Sequence, residues 1–303
     1  MQDFSSYRDR FINSIPVRDY CLEKFRDSFD LWIESLSDEV RPIVLDLLEH
    51  FDYYAQQVVN QYLVELHKTL QDDYSVNDVN AVHTFIPKER GKADSSYEYL
   101  YNYKIANGIY KKSISNNLNA INEEEWERIT EIVIIDDFCG SGGTLTRFFD
   151  TINRDFKGKT IYYLTIHLMK DAFEVIKKNE EKYQTRIIPV TCNIRDKAFN
   201  LESLGKYDNA KEIVKRFSRE KGIPRNRVFG LKKTEALAAF YNNTPNNTLG
   251  IFGYSTEYYE APFARQQEPD PDWVIRPTPN KMKADKHRRK QKNYNAERDR
   301  KTV

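Results

Sequence analysis

The stretch EIVIIDDFCGSGGTL, from Glu131 to Leu145, restricts the fold of this chain more than any other part of it. Four consecutive β-branched residues (Ile132, Val133, Ile134 and Ile135) read as a strand buried on both faces, the pattern of a parallel sheet covered by helices. Two carboxylates, Asp136 and Asp137, stand at the end of that strand. A turn of small residues follows (Gly140, Ser141, Gly142, Gly143), and a helix is expected from Thr144. Glycines let a backbone approach a ligand closely, and the N–H groups of such a turn and of the first helical turn point at an anion. Ser141 and Thr144 add hydroxyl donors, while Asp136 and Asp137 offer acceptors for sugar hydroxyls or for a hydrated magnesium ion. Phosphate on the turn and hydroxyls on the acids together describe a phosphorylated ribose.

The surrounding pattern agrees with an α/β fold. Short apolar runs at 81–86, 132–135, 160–166, 186–190, 238–241 and 249–252 predict strands, and helices are expected over 97–107, 144–156, 170–182 and 209–221. Gly222 is placed to end the last of these helices. In such sheets ligands sit outside the carboxyl ends of the strands. The first 76 residues read as helix instead: an apolar stripe from Val40 to Leu66 follows the 3.6-residue period, and an earlier helix is expected over 19–33. Nothing there concentrates catalytic residue types, which suits packing or a lid. After Arg265 the composition turns to QQEPDPDW, a linker into a basic end. The expected organisation is therefore a helical region at 1–76, an α/β domain at 77–265, and a linker with a solvated, disordered tail at 266–303.

Composition bounds the function classes. Of 303 residues 40% are apolar, enough for a sizeable core, and 31% are charged. No uncharged apolar run nears ~18 residues, so no membrane span is expected. The first residues lack a basic stretch leading into an apolar one, and Cys21, Cys139 and Cys192 make neither a disulfide frame nor a zinc pair. A cytoplasmic protein is expected. The net charge of +1 conceals an uneven distribution: from Arg276 onward eleven Lys/Arg face three acids, a balance of +8, and the remainder carries −7. Such a tail reads either as a solvated terminus or as a contact for nucleic acid or an acidic protein partner. The five histidines show no metal-ligand spacing.

The segment 132–144 resembles the phosphoribosyl-diphosphate (PRPP) motif of the type I phosphoribosyltransferases: four apolar residues, an acidic pair, then small residues ending in Thr or Ser. Ile132, Val133, Ile134, Ile135, Asp136, Asp137, Ser141, Gly142 and Thr144 fit it; Phe138, Cys139 and Gly140 depart from it. The resemblance implies a Rossmann-like phosphoribosyltransferase fold. It gives Asp136 and Asp137 the ribose hydroxyls, with Mg²⁺ held indirectly, and gives Gly140, Ser141, Gly142, Gly143 and Thr144 the 5′-phosphate. It also directs attention to Lys88, Arg90 and Lys92, in the loop after the first expected strand, as a grip on pyrophosphate, and to Thr244, Asn246 and Asn247 in the segment YNNTPNNTL as contacts for base or sugar. Over residues 20–265 the order of features is similar to a phosphoribosyltransferase-like subgroup of bacterial conflict and anti-phage gene clusters. The implied function is binding of PRPP or a nucleotide, with transfer or removal of a base as a defence effector. A nucleotide-binding sensor without turnover is the alternative. A further competing resemblance, Phe138 to Gly142 as the FxGxG loop of S-adenosylmethionine-dependent methyltransferases, lacks the Pro-Pro motif such enzymes need for their target amine. Homo-oligomerisation is left open.

Overall fold

A computed structural model describes residues 3–87 and 95–266. Lys88, Arg90, Lys92 and the basic tail lie outside the described residues. In chain order the elements are α1 (Ser5–Ser14), α2 (Tyr20–Ser35), α3 (Arg41–Glu49), β1 (Asp52–Tyr54), α4 (Gln56–Tyr74), β2 (Ala81–Phe85), α5 (Ser95–Asn107), α6 (Glu123–Arg128), β3 (Glu131–Cys139), α7 (Gly143–Thr151), β4 (Thr160–Met169), α8 (Ala172–Tyr183), β5 (Arg186–Arg195), α9 (Ala210–Glu220), β6 (Ala238–Phe240) and α10 (Gly250–Gly253).

The central sheet is parallel in the order β2-β3-β4-β5, with Ile132 opposite Val82 on one side and Ile161 on the other. Alternate residues of β3 feed two separate cores, which is why the strand has no polar face. Val133 and Ile135 pack with Leu63, Leu66 and Leu70 of α4 and with Tyr99 and Tyr103 of α5. Ile132 and Ile134 pack with Leu145, Phe148 and Phe149 of α7 and with Ala172 and Ile176 of α8. The expected α/β class with a parallel sheet is thus observed, and β3, β4 and β5 each run several residues past the expected apolar runs.

The amino-terminal helices do not stand apart. The stripe from Val40 to Leu66 is broken by β1, which pairs in parallel with β6 in a second, two-stranded sheet. Tyr53, Tyr54 and Ala55 are buried in succession there, a pattern that a one-sided helix cannot produce. Phe25, Phe29 and Trp32 of α2 share one core with Val214 and Phe217 of α9, Phe252 of α10 and Phe263. Residues 1–265 form one compact unit, so the boundary expected after residue 76 separates no two cores. Asp19 starts α2 by accepting from the Leu22 amide at 3.0 Å. Two further expectations are corrected. The run 249–252 is α10, a helical turn rather than a strand, because Gly250 and Gly253 approach the Arg227 backbone and Thr244 too closely for side chains. The helix expected to reach residue 156 ends at Thr151, where Ile152 turns extended.

Candidate functional site

β3 carries the acids to the carboxyl edge of the sheet, and they part company there. Asp136 is buried. Its Oδ2 accepts from the Tyr163 hydroxyl of β4 at 2.8 Å, and its Oδ1 accepts from Ser96 Oγ of α5 at 3.1 Å and from the Asp137 amide at 3.0 Å. Burial, together with the neighbouring charge of Asp137, pushes its carboxyl well above the usual carboxylate range, against the pull of the Tyr163 and Ser96 hydrogen bonds. Both oxygens of Asp136 are thus engaged in tying β3 to β4 and α5. Asp137 is only half-buried, and its Oδ1 accepts from the Phe138 amide at 2.8 Å. Its charge is felt by two phenols: Tyr99 is raised first by burial and then by Asp137, while Tyr241 is raised by burial, then by Glu98, and least by Asp137. Around it Glu98 accepts from the Tyr241 hydroxyl at 2.6 Å and from Asn242 Nδ2 at 3.0 Å, which fixes the start of the segment after β6.

The turn after the acids behaves as a backbone cradle. Gly142 has φ +69°, left-handed, immediately before α7, and a Cβ on it would lie 2.9 Å from Val175. A Cβ on Gly140 would collide with the side-chain amide of Asn247, and one on Gly143 with the ammonium of Lys232. Residues 138–145 line a cavity of about 110 Å³ together with Arg147, Tyr163, Leu231, Lys232, Asn246 and Asn247. The volume suits one phosphate-sized group. The Arg147 guanidinium, one turn along α7, donates to Thr144 Oγ1 at 3.0 Å, so that hydroxyl keeps its own hydrogen for a ligand.

The structure therefore brings the turn, Asn246 and Asn247 together on one cavity. Asn247 Nδ2 also donates to Thr234 Oγ1 at 2.7 Å, and the Asn246 carbonyl accepts from the Leu231 amide at 2.8 Å. Thr244 is elsewhere: buried, it donates to the Phe263 carbonyl at 2.6 Å and holds the end of the unit in place. Two cations at the cavity were not anticipated. Arg147 sits three residues after Thr144, a spacing that places both on one helix face and was open to reading. Lys232 is brought from ninety residues away by tertiary packing alone.

Beside the cavity, Phe138 stacks on His167 of β4, with ring centroids 4.9 Å apart and planes 24° from parallel. His167 Nδ1 is 2.9 Å from the Tyr54 hydroxyl of β1. Burial, with the nearby Arg195 charge, lowers its pKa to about 3, so the ring is neutral and structural. Burial likewise pushes the Cys139 thiol up to about 12, which leaves it a poor nucleophile. Among the described residues no three His, Cys, Asp or Glu side chains converge to hold a metal ion. Asp137 supplies one hard oxygen, and Mg²⁺ bound through one or two carboxylates draws its remaining ligands from water and substrate phosphates. The site fits an ion that arrives with a diphosphate.

The family model that describes this combination matches residues 29–265 and is that of PRTase-CE, a phosphoribosyltransferase-like family. The chain belongs to the PRTase-CE family. The match includes both acids, the turn, Lys232 and the 244–247 segment, and begins within α2. No curated protein matches the chain. Among solved structures, the AQ2163 protein from Aquifex aeolicus overlaps 60% of this chain and 87% of its own at 10% identity and a TM-score of 0.29, too loose a match to define shared topology.

Proposed function

We propose that this phosphoribosyltransferase-like protein binds the 5′-phosphate of PRPP or of a nucleotide on the 140–144 turn, with the ribose hydroxyls on Asp137. The observation that carries this reading is the phosphate-sized cavity formed where the glycine turn opens α7, beside a half-buried carboxylate at the carboxyl edge of β3. Asp136 takes the supporting role: tied to Tyr163 and Ser96, it holds the strand end in position while Asp137 meets the sugar. Lys88, Arg90 and Lys92 are assigned to the diphosphate. In transfer, the bond from C1 of the ribose to its leaving group breaks with the electron pair departing on that group, and a base nitrogen closes on the same carbon. Positioning and charge stabilisation are the protein's contribution. Asp137 would hold a Mg²⁺ that arrives with the substrate, and the ion would supply charge neutralisation for the departing group. The resemblance to conflict-associated proteins supports extending the proposal to a role in anti-phage defence.

Calorimetry with ribose 5-phosphate, PRPP with Mg²⁺, nucleoside monophosphates and S-adenosylmethionine tests it. Ribosyl phosphates are expected to bind, and Asp137→Asn to weaken them at least tenfold while binding of inorganic phosphate persists. Binding of S-adenosylmethionine with no response to any ribosyl phosphate would overturn the reading. Release of base or diphosphate from a bound ligand separates an enzyme from a sensor that binds the same ligands without turnover.

A further inference from the structure

We infer that Lys232 is the charge partner of the phosphate, and that it selects a dianionic phosphate monoester over a monoanionic or neutral ligand. The inference rests on the reading just given and deepens it. Lys232 lines the cavity, and its Nζ is close enough to Gly143, the first residue of α7, that a Cβ there would collide with it. Among the described residues no hydrogen bond or ion pair joins that ammonium to the protein. An exposed cation, unpaired among the described residues, therefore sits at the positive end of a nine-residue helix, where peptide N–H groups already concentrate positive charge. Solvent screens the two like charges from each other. An anion between the turn and the lysine is attracted from both sides.

The backbone that holds Lys232 there is itself costly. Lys232 has φ 55° and ψ 24°, Lys233 has φ 55° and Glu235 φ 56°, three left-handed non-glycine residues within four. Surrounding contacts impose the shape. The Leu231 amide donates to the Asn246 carbonyl at 2.8 Å, the Ala198 amide donates to the Glu235 carbonyl at 3.0 Å, and the buried Glu235 carboxylate is paired with Lys211. The fold thus holds an exposed ammonium beside the glycine turn at some conformational cost. A phosphate dianion there meets the turn N–H groups, the hydroxyls of Ser141 and Thr144, and Lys232.

Calorimetry with ribose 5-phosphate at fixed ionic strength, from pH 5 to 8, tests this on the full chain and on Lys232→Ala, Lys232→Gly and Lys233→Gly. The unaltered protein is expected to gain affinity as the phosphate loses its second proton near pH ~6. Lys232→Ala should bind at least tenfold more weakly at pH 7.5 and show a flatter rise with pH. Lys232→Gly should raise the unfolding temperature, because glycine adopts φ 55° without strain, and weaken binding as the alanine variant does. Lys233→Gly should raise the unfolding temperature and keep affinity within twofold. Unchanged affinity and pH profile in Lys232→Ala would refute the role of Lys232 and leave the phosphate site standing. Failure of the unaltered protein to bind any ribosyl phosphate would remove the site itself and this inference with it.

Discussion

Two titratable residues at the carboxyl edge of the sheet, Asp136 and His167, are both shifted by burial toward their neutral forms, and they pull the pH dependence of stability in opposite directions. The folded His167 resists protonation down to about 3, whereas the unfolded chain takes up that proton near its ordinary value of 6.5. Acid therefore favours unfolding, and stability present above 6.5 is lost as pH falls toward 3. By pH 4.5 the loss from this residue should be about 2–3 kcal/mol, at ~1.4 kcal/mol for each pH unit. His167→Gln is expected to reduce the acid slope of the unfolding free energy by about one proton, read from denaturant melts between pH 4.5 and 7; an unchanged slope would assign the sensitivity elsewhere. Asp136 behaves inversely. Its folded pKa is raised above the ordinary 3.8, so its contribution is complete below that value and is lost as pH rises through the raised folded value. Asp136→Asn should thus grow more stable relative to the parent protein as pH rises from 4 to 8. The opposite trend would mean that Asp136 is ionised in the folded state.

At the scale of elements, the crossing of two loops decides whether the cavity exists. Gly230 begins the loop that carries Lys232, with φ +69°, and a Cβ there would strike the carbonyl of Asn247. The neighbouring Ala236 amide donates to that same carbonyl at 3.1 Å. Gly230→Ala should therefore cost roughly 2–4 kcal/mol, from the left-handed backbone plus the displaced segment, and should weaken phosphate binding through Asn247 and Lys232 together. Urea melts and phosphate titrations on this variant measure both effects, and a variant as stable as its parent would show that the two loops need not touch. Element identity followed the composition of the apolar runs. The runs that became β3, β4 and β5 were legible because each is rich in β-branched or aromatic residues and free of glycine. The runs at 51–55 and 249–252 were misread because a few apolar residues fit strand and helix alike. Pairing decided the first and glycine packing the second.

At the scale of the molecule, the helices before residue 76 complete the core on which the end of the unit closes. The Phe263 ring stacks on Phe25 at 4.9 Å, on Phe51 at 4.8 Å and on Tyr53 at 5.6 Å. Its backbone amide donates to the Phe252 carbonyl at 3.0 Å, and its own carbonyl accepts from Thr244. Phe263→Ala should lower stability by about 3–5 kcal/mol. A fragment of residues 77–265, deprived of β1 and of α1 to α4, should show no cooperative thermal transition, because β6 loses its pairing partner and the shared aromatic core loses one side. A sharp calorimetric transition of that fragment would instead establish an independent α/β body.

The residues from Glu131 to Leu145 carried the fold class and the glycine turn in their order alone, because burial on both faces, helix initiation and close backbone approach each demand particular residue types in neighbouring positions. Local order could not separate the two acids. Asp136 and Asp137 are chemically identical and adjacent, and only the packing of Tyr163 and Ser96 against the first buries it while the other stays half-buried. The closure of Lys232 and Asn247 over the turn was equally beyond local reading, since they reach Gly143 and Gly140 by long-range packing. Short-range physical preferences write the strand, the turn and the helix; which charges converge on them is settled only when distant segments share a core.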